Sequence, residues 1–244
     1  MNVPLNSFPP ALVEMSAKPP WARLYSAVAP EVMTSIWFAY VSSFGQDKVT
    51  VVDGANGSVA ATIQLPVGAM PQGVAVNPAG TRDYIANFGS GSVSIINTAT
   101  NQPVTVLPVS VCAMSGCMPQ GIAVNADGTR VYVANADGSI SVLDATNDNN
   151  QLLAPLARTS GAFGGVVVVG SNLFVADFGS GSVLAINVNT GAITSLPLSF
   201  SMFGIAANSA GTRVYVPYGK INLNQEYDLE VAVTCPELCD SDTH

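Results

Sequence analysis

The chain has 244 residues, 48% of them hydrophobic and only 10% charged, with 22 glycines and a formal net charge of −8. Six of its sixteen acids (Glu226, Asp228, Glu230, Glu237, Asp240 and Asp242) fall in the last twenty residues, so the rest is nearly neutral. A nearly neutral body has no basic stripe for a nucleic-acid backbone, and no apolar run approaches the roughly 18 residues of a membrane-spanning helix.

Residues 1–35 form the first segment. Pro9-Pro10, Pro19-Pro20 and Pro30 forbid a long helix, and an extended arm is expected, with Trp21 and Leu24 able to anchor it on the body of the protein or on a neighbour. A basic start followed by an apolar stretch is missing, so the arm does not read as a signal peptide; either the chain is a mature form or the protein is cytosolic.

From Ile36 to Lys220 the chain repeats itself. The clearest copy is Gly121 to Asp144, GIAVNADGTRVYVANADGSISVLD. Gly121-Ile-Ala-Val-Asn alternates like a half-buried strand, Asp127-Gly128 makes a turn, Arg130-Val-Tyr-Val-Ala is a second strand, Asp137-Gly138 a second turn, and Ile140-Ser-Val-Leu-Asp144 a third strand. Aligned on the aromatic of the second strand, the copies give Tyr40, Tyr84, Tyr132, Phe174 and Tyr215, at steps of 44, 48, 42 and 41 residues. A repeat of about 40–45 residues with four strands is the signature of a propeller blade. The expected fold is therefore an all-β propeller of four-stranded antiparallel blades, with about five repeats. An open ring would leave an unpaired edge, so the arm, the segment 221–233 or another subunit is expected to supply missing strands, unless the chain is part of a larger propeller.

The tetrapeptide Tyr132-Val133-Ala134-Asn135, the Pro-x-Gly at Pro71-Gln72-Gly73 and Pro119-Gln120-Gly121, and the Gly-Thr-Arg at Gly80-Thr81-Arg82, Gly128-Thr129-Arg130 and Gly211-Thr212-Arg213 together resemble the YVTN-type β-propeller repeat. The resemblance covers about three quarters of the chain. It implies a fold, and a location like that of bacterial and archaeal surface and exported proteins, better than it implies an activity.

Between the second and third repeats the linker lengthens and brings Cys112 and Cys117; Cys235 and Cys239 lie in the acidic tail, residues 221–244. Local disulfides are the natural reading in an oxidising compartment, although four cysteines allow three pairings. The rivals are a soft-metal site, with Cys112, Cys117 and Met114 or Met118 holding Cu(I) or the four thiols holding zinc, and free thiols.

No catalytic set or cofactor site is legible, and no metal site beyond the cysteines, because His244 is the only histidine and ends the chain. Lactonases and lyases on similar propellers gather acids and histidines at the central mouth. Asp47 and Asp177 fall on the right face but read equally well as loop residues, and Asp53, Asn97, Asp144 and Asn187 as turn formers. A non-catalytic protein is expected, with a propeller enzyme as the outsider.

Topology supplies the functional expectation. Loops from strand four to the next strand one, and from strand two to strand three, emerge on one side of a propeller. The first set carries Met70, Gln72, Met118, Gln120, Phe163, Met202 and Phe203, and the second carries Phe44, Phe88, Phe178 and Tyr218. Turns such as Asn77 to Gly80 and Asn125 to Gly128 occupy the other side. A contiguous apolar patch of this kind marks a protein interface; the competing reading is that these side chains fold back between blades. An exported module docking a protein partner or copies of itself is expected, with a structural subunit of a surface layer, filament or large complex as the alternative.

Overall fold

The computed structural model describes residues 26–28, 37–108, 118–146, 151–198, 204–208, 210–221 and 227–234. All regular structure among them is antiparallel β, arranged in five sheets. The first contains β1 (Ser26–Val28), β2 (Phe38–Ser43), β3 (Lys48–Asp53) and β4 (Val59–Gln64), in that spatial order. The second repeats the pattern with β5 (Pro71–Val76), β6 (Arg82–Asn87), β7 (Ser92–Asn97) and β8 (Gln102–Pro108). In the third, β9 (Pro119–Val124), β10 (Arg130–Asn135) and β11 (Ser139–Asp144) are followed by two short outer strands, β12 (Gln151–Leu152) and β13 (Ala157–Arg158), both paired with β11. The fourth is β14 (Phe163–Val169), β15 (Asn172–Asp177), β16 (Ser182–Asn187) and β17 (Ile193–Pro197). The fifth has three described strands, β18 (Ala206–Ala207), β19 (Val214–Ile221) and β20 (Tyr227–Thr234).

The edge sheets recruit strands from outside the regular repeat. Ser26–Val28, from within the N-terminal arm, pairs with β2 as the innermost strand of the first sheet. Tyr227–Thr234, from the acidic tail, pairs with β19 along eight residues.

The motif residues act through local chemistry. Asn77 Oδ1 accepts from the Thr81 and Arg82 amides at 2.8 and 3.0 Å, and Asn208 Oδ1 does the same for Thr212 and Arg213, at 2.9 Å each. In the third sheet Asn125 Oδ1 takes the Arg130 amide at 2.8 Å, while Asp127 takes Thr129 at 2.9 Å. The turn needs one left-handed residue, supplied by Gly128 at φ 74°. Asp53, Asn97, Asp144 and Asn187 each cap the turn that follows, accepting from Ala55, Ala99, Thr146 and Asn189 amides. The Pro-x-Gly glycine serves packing instead. A Cβ on Gly121 would collide with the Gly164 carbonyl oxygen, so the innermost strands of neighbouring sheets can approach closely only without one.

The core is the set of seams where one sheet lies on the next. Tyr40, Val49 and Val51 pack on Ile85 and Ile96 at the first seam, and Tyr84, Val93 and Ile95 on Val131, Val133 and Leu143 at the second. At the third, Tyr132 and Ile140 meet Leu173, Val175 and Ile186; at the fourth, Phe174 and Val183 meet Val214 and Val216. The repeated aromatic of the second strand is thus a seam residue in every sheet but the last. Alternation along each strand gives both faces of a central sheet to a seam, which is why β6, β10 and β15 are buried almost throughout.

Candidate protein-docking face

The loops leaving the outer strand of one sheet and those joining the second and third strands of the next sheet lie together on one side. Main-chain bonds tie them: Phe88 and Gly89 amides donate to the Met70 and Ala69 carbonyls at 3.2 and 2.9 Å, Ala136 to Met118 at 3.1 Å, and Phe178 to Ala162 at 3.0 Å.

The loop of residues 65–70 is held by one side chain. Asp47 Oδ2 accepts from the Gly68 amide and Oδ1 from the Met70 amide, both at 2.8 Å, while the Asp47 carbonyl takes the Leu65 amide at 2.8 Å. Those amide donors, Met70 first and Gly68 second, hold the Asp47 carboxyl below its usual pKa. Leu65 and Ala69 are buried beneath the loop in the first seam. Val67, between them, is left 96% exposed. A rigid loop therefore holds a branched apolar side chain out into solvent.

Met70 and Met118 occupy equivalent positions, each before the proline that opens an inner strand, and both are left-handed, with φ of 46° and 43°. Non-glycine residues resist that conformation, and it persists where surrounding bonds over-determine it. Here the carbonyls of both methionines accept from the facing loop, and the Met70 amide is held by Asp47 as well.

The structure places the residues singled out in the sequence at three depths. Met118 is exposed, at 38%. Phe44, Met70, Phe88 and Phe178 are half-buried. Phe44 and Phe88, from neighbouring sheets, form a tilted ring pair with centroids 5.8 Å apart, and the Met70 thioether lies over Gly89 beside them. Gln72, Gln120 and Phe163 are buried, Phe163 completely, in the third seam. Met202, Phe203, Cys112, Cys117, Cys235 and Cys239 lie outside the described residues.

Sequence reasoning missed three features. Val67 lies outside the repeat's motifs, although Pro66-Val67-Gly68 reads as a tight turn with an apolar tip. Trp37 and Phe38 are exposed at 40% and 37% on the opposite side, where Trp37 lies against Gly54, so that side is not purely polar. Asp83 sits in the first seam, completely buried, with no well-formed hydrogen bond to either carboxyl oxygen.

Just below the docking face, Asn87 and Asn135 are equivalent buried amides. Each spends its Nδ2 on two serines, Ser92 and Ser94 at 3.0 and 2.8 Å, and Ser139 and Ser141 at 3.0 and 2.9 Å. In the fourth sheet Asp177 takes this position and accepts from the Ala162, Gly179 and Ser180 amides and the Ser180 hydroxyl. Its donors make Asp177 a loop-fixing residue. Among the described residues, no three His, Cys, Asp or Glu side chains gather in a way that would hold a metal ion, and no helix is long and apolar enough to cross a membrane.

No protein-family profile and no curated protein matches the sequence. The architecture is similar to solved β-propeller-like structures. Hydrazine synthase of Kuenenia stuttgartiensis superposes with a TM-score of 0.66 at 20% identity, over 80% of this chain and 59% of that one. A catalytically inactive histidine-to-alanine variant of virginiamycin B lyase from Staphylococcus aureus, with quinupristin, gives 0.65 at 13% identity, over 88% of this chain and 71% of that one. A protein of unknown function from Bacteroides caccae gives 0.57 at 20% identity, over 79% and 71%. This chain spans about three fifths of the hydrazine synthase chain. At these identities the likeness is one of fold: an all-β, propeller-like stack of antiparallel sheets.

Proposed function

We propose that this protein is a non-catalytic binding or assembly module, built from YVTN-type repeats, that docks a protein partner or a second copy of itself through the loop face. One observation carries the reading: Val67 stands 96% exposed on a loop whose backbone is clamped at three points by Asp47. A rigid apolar tip loses little conformational entropy on binding, and burying it removes exposed apolar surface from water. Met118 supplies an adaptable neighbour, with Met70 and the Phe44–Phe88 pair between the loops. Export to the cell surface or periplasm belongs to the same reading. Peptide mapping of native protein tests it, with a Cys112–Cys117 disulfide expected and four alkylatable thiols contradicting it.

An enzyme of the lyase or lactonase kind is disfavoured by the side-chain inventory, since the one histidine is His244. Photo-crosslinking in the native cell tests the docking reading. A photoreactive residue at position 67 or 118 is expected to capture one discrete protein, which the same group at position 127, on the opposite side, does not. Equal capture from both sides, or none from 67 and 118, would remove the proposal.

A further inference from the structure

On the side away from the docking face, the third seam opens into a cavity of about 360 Å³. Its origin can be traced to one position in the repeat. At the first seam the Tyr40 hydroxyl reaches the turn between β7 and β8, where Asn101 Oδ1 lies 3.2 Å away and the Thr98 carbonyl 3.5 Å. Asn101 is the left-handed residue of that turn, at φ 53°. In the fourth sheet the corresponding left-handed residue is Gly191, at φ 72°. Glycine has no side-chain acceptor to offer, and no partner hydrogen-bonds the equivalent Tyr132 hydroxyl among the described residues.

The outer strand adds room. Where β4, β8 and β17 are continuous, the third sheet splits its outer strand into β12 and β13, and residues 153–156 bow out between them. Leu153 and Leu156 amides still bond the Val142 and Ile140 carbonyls of β11, at 2.8 and 3.1 Å, so the bow is anchored at both ends. The resulting cavity has Leu153, Leu156 and Val188 as apolar walls and Tyr132 and Arg130 at one polar end, with Asn189 and Thr190 also on its lining. Arg130 directs Nη1 to Asp144, at 2.9 Å, and to the Thr129 carbonyl, at 3.0 Å; these contacts leave its other edge without a partner among the described residues. Burial raises the Tyr132 pKa, so the hydroxyl stays protonated and remains a donor.

We propose that this cavity binds a free, small monocarboxylate with an apolar body. Tyr132 and the open edge of Arg130 would take the carboxylate, and Leu153, Leu156 and Val188 would take the body. The polar end offers donors, which selects an acceptor-rich group, and guanidinium favours carboxylate through paired N–H bonds. The size suits a ligand of about ten heavy atoms.

The test is an NMR titration of the whole chain with phenylacetate, following the Gly191 and Leu153 amides. Saturable shifts at those amides are expected, with phenylacetamide binding at least about tenfold more weakly because it lacks the charge. Tyr132→Phe should weaken phenylacetate about five- to tenfold, the effect of one hydrogen bond. Gly191→Asn, which restores the acceptor seen at Asn101, should abolish saturation. Phe174 stands at the position equivalent to Tyr132 in the next sheet, so Tyr132→Phe keeps the test decisive if Gly191→Asn does not fold. No saturable shift in the wild type, or unchanged affinity in Tyr132→Phe, would overturn the proposal. Tighter binding of a peptide ending in leucine than of phenylacetate would overturn its assignment to a free small acid.

Discussion

Asp83→Val is expected to stabilise the protein. Asp83 is completely buried in the first seam, beside Tyr40, Ile85 and Ile96, and its carboxyl oxygens make no well-formed hydrogen bond, the adjacent Tyr84 amide offsetting only part of the burial. The equivalent residues of the next three sheets are Val131, Leu173 and Val214, all fully buried. Burial drives the Asp83 carboxyl well above its ordinary pKa; burial, and secondarily the Asp83 charge, push Tyr40 up to about 12. A buried polar group without a partner costs about 1–3 kcal/mol, and valine removes that cost while filling similar space. A gain of about 2 kcal/mol follows, which for a domain of this size raises Tm by about 4–8 °C. The pH dependence gives a second readout. With its folded-state pKa raised, Asp83 keeps a proton that the unfolded chain releases above about pH 4, so stability falls as pH rises from there through the folded-state value. Thermal melts from pH 4 upward should show that slope in the wild type and lose this part of it in Asp83→Val. A variant that melts lower, or keeps the whole slope, would refute the reasoning.

Two further outcomes test the packing and the docking loop. Gly121→Val should cost about 3 kcal/mol or more in urea unfolding, because its Cβ would meet the Gly164 carbonyl of the neighbouring inner strand, whereas Gly57→Ala, in open space, should cost far less despite its positive φ. Asp47→Asn should speed hydrogen exchange at the Gly68 and Met70 amides while leaving global stability almost unchanged, since the carboxylate is exposed and its stabilisation is screened. Because the folded-state pKa of Asp47 is depressed, the clamp's contribution is complete above about pH 4 and is lost as pH falls through the folded value, so wild-type exchange at those amides should approach the variant's in acid.

The repeat was legible because its chemistry is local. Asn77, Asn125 and Asn208 cap turns within their own hairpins, and the alternating strands show their buried faces directly in the sequence. The added strands of the two edge sheets were legible only as a need. Ser26–Val28 and Tyr227–Thr234 lack the repeat's turn residues, and pairing with β2 and β19 defines them. The depth of the apolar loop residues was not legible, since it depends on whether a neighbouring sheet covers them: Phe163 and Phe178 have the same character in sequence, but one is a seam residue and the other is half-exposed. The exposure of Val67 was not legible either, since it depends on Asp47, twenty residues earlier, fixing the loop. Asp83 looked like an ordinary charged strand residue, and only the sheet packed against it makes it a buried acid.

Binding of protein by the loop face is what remains to be measured. Its most direct test is the affinity for the species captured from position 67 or 118, whether a partner or a second copy, measured with Val67→Ser plus Met118→Ser and, as the control on the opposite side, Trp37→Ser. Both loop residues are exposed, so the double variant should fold normally. If they anchor the interface, it should lose about 2 kcal/mol, roughly thirtyfold in Kd, while Trp37→Ser changes affinity less than about threefold. The reverse pattern, with Trp37→Ser causing the loss and the loop variant binding as wild type, would contradict the account.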